Sequence, residues 1–111
     1  MHRISAALIV LFALAPAAWA DDHSDRVESD QVQAGRDIAD RLCARCHAVG
    51  TEGESPHDEA PPFRTFAEKW PVDHLGEALA EGITVGHPDM PEFVLEPDEI
   101  DAFIVYLESL E

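Results

Sequence analysis

Residues 43–47 read Cys-Ala-Arg-Cys-His, and this pentapeptide constrains the chain more than any other stretch. Two thiols three positions apart, followed directly by an imidazole, form the attachment signal of a c-type haem. Cys43 and Cys46 lie one helical turn apart, so both can reach the same edge of a porphyrin and add to its two vinyl groups. His47 follows at once and is placed to ligate the iron from one axial side. These are the only two cysteines in the chain, so the motif uses both. The competing readings are a CxxC redox pair and half of a zinc site. The first needs a βαβ context, and the sequence has no such pattern. The second needs two more ligands at suitable spacing.

The N-terminus supports the haem reading. Arg3 supplies a positive charge, an apolar run from Ile4 to Ala15 follows, and then come Pro16 and Ala18-Trp19-Ala20. This is the order of a secretory signal peptide over residues 1–20, cleaved after Ala20. An uncleaved membrane anchor is the alternative, although the apolar stretch is at the short limit for spanning a bilayer. No later stretch is long and apolar enough to span, so no stable membrane insertion is expected after cleavage. Covalent haem is attached outside the bacterial cytoplasm, which makes the periplasm the expected location. The usual reading of paired cysteines in an exported chain, a disulfide, does not apply when both form thioethers. Cleavage removes 20 of 111 residues and leaves 91, a small number for an apolar core. A covalent haem adds an apolar plate and a cross-link, so the apo-protein is expected to fold poorly.

Charge narrows the partners. The formal net charge of the whole chain is −16, and all 23 acids lie after residue 20. Only six bases stand against them there: Arg26, Arg36, Arg41, Arg45, Arg64 and Lys69. Such a surface excludes nucleic acid and disfavours anionic membranes. It favours a partner with a basic docking surface, or it serves solubility alone.

Residues 21–29 are polar and charged and are expected to form a mobile acidic tail, leaving 30–111 as the domain. Asp30 suits a helix cap, with Gln33 completing a weak capping box. A helix is expected over 31–43, because Gly35, Ile38, Ala39 and Leu42 share one face. A glycine there costs about 1 kcal/mol relative to alanine, which suggests that another helix approaches closely. Residues 48–62 have no period and carry two glycines and three prolines, as a loop does. A short helix is expected over 63–70, stopped by Pro71, and another over 72–81, stopped by Gly82. Residues 82–95 are again irregular. The last helix is the clearest: Pro97 suits its first position, Asp98 and Glu99 suit the positive end of its dipole, and Ile100, Phe103, Ile104 and Leu107 form a stripe extended by Leu110. No repeat and no alternating strand pattern is present, so the domain is expected to be all-α.

The arrangement resembles the class I cytochrome c family, in particular its small bacterial monohaem members. The resemblance covers about residues 31–110. It rests on Gly35-x-x-Ile38-Ala39-x-x-x-Cys43-x-x-Cys46-His47, on Ala60-Pro61-Pro62-Phe63, on Met90-Pro91 and on the aromatic-bearing last helix. It departs from the mitochondrial type, whose face is rich in lysine, since Lys69 is the one lysine here. The resemblance implies three to five helices around one covalently attached haem c, with the first and last helices crossing at Gly35 against Phe103 or Tyr106. It also implies Met90 as the sixth iron ligand. Elimination adds support, because Met1 leaves with the signal peptide and Met90 is then the only methionine. His87 is the competitor, and His57 and His74 follow. In the resembled family a loop proline supplies the carbonyl that orients the ligating histidine, and Pro61 is preferred to Pro62 here. Arg64, Lys69 and Trp70 are candidates for the haem propionates, the alternative being a solvated charge pair and a core tryptophan.

The function implied is that of a monomeric electron carrier with redox partner proteins and no catalytic residues. The alternatives are an electron-transfer subunit of a larger oxidoreductase and, from a different class, a haem enzyme with an open axial site.

Overall fold

The computed structural model describes residues 19–82 and 87–111. The expected signal peptide therefore lies outside the described residues, apart from Trp19 and Ala20. The described residues form four α-helices with no strand among them: α1 (Trp19–Leu42), α2 (Phe66–Lys69), α3 (His74–Glu81) and α4 (Pro97–Glu108). A 3-10 turn, Phe63–Thr65, leads into α2.

The first helix differs from its expected bounds. It begins at Trp19 rather than near Gln31, and residues 22–29, expected as a tail, are its N-terminal half. The cause is cooperative. Once a packed segment has nucleated a helix, each added residue gains one backbone bond. No glycine or proline interrupts the chain between Trp19 and Ala34 to stop that extension. Arg26 also pairs with Asp22 one turn back, at 2.8 Å, and exposed pairs of this kind help by a few tenths of a kcal/mol. Residues 22–31 are exposed throughout, so the extension buries little apolar surface.

The second half of α1 buries Gly35, Ile38 and Ala39 and turns Arg36, Asp37, Asp40 and Arg41 to solvent. Its partner is α4. That helix starts with a capping box: Glu99 accepts the backbone N–H of Glu96, and the Glu96 side chain accepts a backbone N–H of the first turn. Ile100, Ala102, Phe103, Tyr106 and Leu107 are buried along it. The two helices meet at Gly35. A Cβ there would stand 2.0 Å from the Ala102 carbonyl oxygen and 2.6 Å from the Tyr106 Cβ, so only hydrogen fits. Ala102 and Tyr106 supply the nearest atoms at this contact.

Phe63 and Phe66 fill the space beside the crossing. Their rings lie 4.7 Å apart, and the Phe103 ring meets Phe63 edge-on at 5.7 Å. The third helix starts at His74, two residues later than expected. Val72 and Asp73 form a turn after Pro71, in which His74 N–H reaches the Pro71 carbonyl at 3.1 Å. Gly82 ends α3 at φ +91°, where a side chain would be strained. Leu95 N–H then bonds the Leu79 carbonyl, tying the approach to α4 onto α3.

One long-range bond fastens the loop after the CxxCH motif. The Tyr106 hydroxyl donates to the Val49 carbonyl. Tyr106→Phe is expected to destabilise the holo-protein by about 1–2 kcal/mol, because it leaves that carbonyl without its donor. Denaturant unfolding checks this, and an unchanged midpoint would show that solvent replaces the hydroxyl.

Candidate haem site

The motif sits where α1 ends. Cys43 N–H bonds the Ala39 carbonyl at 2.8 Å, and Cys46 and His47 N–H groups reach back to the Cys43 carbonyl at 3.1 and 2.9 Å. The chain thus keeps a helical path through the pentapeptide, and the thiols stand one turn apart. Both are half-buried and they are not joined as a disulfide. Burial pushes the Cys43 thiol up to about 11. A CxxC redox pair needs the opposite, a thiol lowered toward neutrality so that it attacks as a thiolate. The environment therefore disfavours the redox-pair reading.

His47 is fixed from outside the motif. Its Nδ1 is 2.8 Å from the Pro61 carbonyl oxygen, which accepts a proton and nothing else, so Nδ1 carries the hydrogen. Nε2 then presents a lone pair, the state a metal ligand needs. Among the described residues nothing hydrogen-bonds to Nε2. The Phe63 and Phe66 rings flank the imidazole at 5.1 and 6.0 Å. The supporting loop is itself lashed to the motif: Ala48 N–H bonds the Ser55 hydroxyl, His57 N–H the Cys46 carbonyl, and Phe63 N–H the Ala48 carbonyl. These contacts, and the two phenylalanines, were not evident from spacing. The signal that could have found the phenylalanines is Phe63 directly after Pro61-Pro62, with Phe66 three residues on.

Arg64 carries a buried Nη1 with no hydrogen-bond partner among the described residues. An orphaned guanidinium nitrogen is costly unless an anion meets it. A haem propionate is such an anion. Trp70 is 47% exposed, so it is not the core tryptophan that one reading of the sequence expected. Its ring meets Phe66 edge-on at 5.8 Å, and Lys69 Nζ lies 5.8 Å from its centroid.

Met90 is half-buried at the end of a short turn, its N–H 3.3 Å from the His87 carbonyl. It is not among the residues of the apolar core. The competing histidines are otherwise engaged. His57 Nε2 faces Asp89 at 3.3 Å, His87 Nε2 pairs with Glu59, and His74 is exposed at the start of α3. Donor set, fixed imidazole and orphaned cation together fit a haem attached through Cys43 and Cys46.

Comparison with known proteins agrees. Residues 32–111 match the family model described as cytochrome c. The chain is 34% identical over 76 residues to Cytochrome c-552 of Bradyrhizobium diazoefficiens, an alignment covering 68% of this chain and 71% of that protein. No solved structure matches the chain.

Proposed function

Because the chain belongs to the cytochrome c family, we propose that it is a periplasmic, monomeric electron carrier whose iron is held between His47 and Met90. The family membership makes it an electron-carrier cytochrome with one haem c, attached through Cys43 and Cys46. The observation that carries the ligation proposal is the 2.8 Å contact between His47 Nδ1 and the Pro61 carbonyl, which leaves Nε2 ready to ligate.

The bound haem supplies a one-electron couple at its iron. The residues do the rest. Cys43 and Cys46 hold one edge through thioethers. His47, kept in one tautomer by Pro61, would ligate the iron through Nε2, with Phe63 and Phe66 flanking its ring against water. Met90 would supply the other protein ligand to the iron. With both positions filled, no site is left for a substrate, which favours a carrier over a haem enzyme. Arg64 offers its buried Nη1 to a propionate, and Trp70 contributes its exposed indole to the same rim.

The test is a visible and near-infrared spectrum of the purified protein in both redox states. Low-spin bands are expected, with the red charge-transfer band of sulfur-ligated ferric haem at neutral pH. Absence of that band removes Met90 as the ligand. Carbon monoxide binding to the reduced protein would instead point to an open position.

The partner proposed is a protein with a basic docking surface. Electron-transfer encounters are small and short-lived, so long-range charge sets much of their rate. With Arg3 gone the mature charge is one unit more negative than that of the whole chain, −17. The bimolecular rate with the redox partner is expected to fall steeply as salt rises, since the Debye length shrinks from about 10 Å at 0.1 M to about 3 Å at 1 M. Asp89 and Glu92, both exposed and flanking Met90, are the acids to neutralise first. Asp89→Asn with Glu92→Gln is expected to slow association and flatten the salt dependence with the spectrum unchanged. Stopped-flow kinetics measures both, and a rate indifferent to salt would assign the charge to solubility.

A further inference from the structure

Two loops of the chain share one pattern, a histidine with an acid two residues on: His57-Asp58-Glu59 and His87-Pro88-Asp89. They also share one conformation. In each, the backbone N–H of the acid contacts Nδ1 of the histidine at 3.2 Å, so Nε2 faces away from its own loop. The loops then meet. The two imidazoles stand edge to face with centroids 5.2 Å apart, at 87°. Their carboxylates cross over: His57 Nε2 lies 3.3 Å from Asp89 Oδ2, and His87 Nε2 pairs with Glu59. One ligand atom from each of His57, His87 and Asp89 lies within 4.8 Å of the other two.

We infer that His57, His87 and Asp89, backed by Glu59, form a second metal site for a borderline divalent cation of the Zn²⁺ class. Two ligand atoms on a tetrahedral ion with bonds of about 2.0–2.1 Å lie about 3.3 Å apart, which is the spacing His57 and Asp89 already have. The third ligand closes by about 1.5 Å at most, within reach of side-chain rotation on two surface loops. Paired imidazoles with carboxylate suit Zn²⁺, Ni²⁺ or Cu²⁺, whereas Mg²⁺ and Ca²⁺ prefer oxygen alone. Two carboxylates balance the charge of the ion, and the histidine side chains are 32% and 34% exposed, so the site opens to solvent. On binding, each ring gives up the proton on Nε2, carries one on Nδ1 instead, and presents Nε2 to the ion. The two Nδ1 contacts open, and at 3.2 Å they are long ones to give up. The bound ion joins the loop that hangs from the Cys46 carbonyl through His57 N–H to the turn that carries Met90. The inference uses neither proposed axial ligand and stands if Met90 proves not to ligate, unless His57 or His87 itself takes the iron.

The test is calorimetric titration of the holo-protein with ZnCl₂ in a non-chelating buffer. One saturable site is expected. His57→Ala and His87→Ala each weaken it at least tenfold, their combination removes it, and His74→Ala leaves it unchanged. A hundredfold excess of Mg²⁺ does not displace the zinc. Each variant's absorption spectrum is compared with wild type to establish that the haem pocket is intact. On the wild type alone, proton NMR of the reduced form is expected to show the ring signals of His57 and His87 moving with zinc while that of His74 stays. No saturable binding, binding that survives the double variant, displacement by Mg²⁺, or ring signals that do not move each overturn the inference.

Discussion

Gly35→Leu is expected to destabilise the holo-protein by about 3 kcal/mol or more, at the upper end for overpacked sites. The Cβ alone would lie 2.0 Å from the Ala102 carbonyl oxygen, and that oxygen is backbone, held within α4. It cannot rotate away, so the helices must separate. Separation exposes Ile38 and Ala39 on one side and Phe103 and Tyr106 on the other, all buried at the crossing. Gly35→Ala sharpens the test through its sign. Helix propensity alone favours alanine over glycine by about 1 kcal/mol, so a glycine in open space would gain from the change. At this crossing the clash outweighs that gain, and Gly35→Ala is expected to lower the unfolding midpoint too. Guanidinium unfolding followed by far-ultraviolet circular dichroism measures both. A raised midpoint in Gly35→Ala would mean that the helices do not touch at this residue.

The same glycine shows how far the sequence could be read. Its place one turn before Ile38 and Ala39 marked a close approach, and the stripe of α4 supplied a partner, so the crossing was legible. Tyr106 was one of the two contacts expected, but Ala102 was not foreseen, because a stripe does not define the rotation of the helix. The C-terminal helix was read within two residues, since proline, acids and apolar period all agree over 97–108. The start of α1 was misplaced. Residues 22–31 carry a single aliphatic side chain, Val27, and their helicity comes from propagation out of a packed segment, which leaves no apolar pattern to read. At the site, the pentapeptide identifies its own residues by spacing alone. Pro61 came from the resemblance, and the hydrogen bond it accepts appears only when the loop is folded back. The crossed His–acid pairs join residues far apart in the chain, and no local signal connects them.

Met90→Ala is expected to change the haem more than any other single substitution while costing the fold little. Met90 stands outside the apolar core, between exposed Pro88, Asp89, Pro91 and Glu92, so few packing contacts go with it. Its thioether is what the variant removes. Three results follow from ligation by that sulfur. The red charge-transfer band of the ferric protein disappears. The reduction potential falls, because a methionine ligand raises it relative to nitrogen or water in its place. The vacated position binds carbon monoxide in the reduced protein, which the wild type does not. Spectroscopy, voltammetry and gas titration read these separately. The nearby imidazoles give the discriminating control. His57 and His87 are paired with Asp89 and Glu59, so neither is free to ligate without giving up a carboxylate. If His87 were nevertheless the sixth ligand, Met90→Ala would keep the wild-type spectrum and His87→Ala would open the iron. If Met90 is the ligand, the two variants exchange those outcomes.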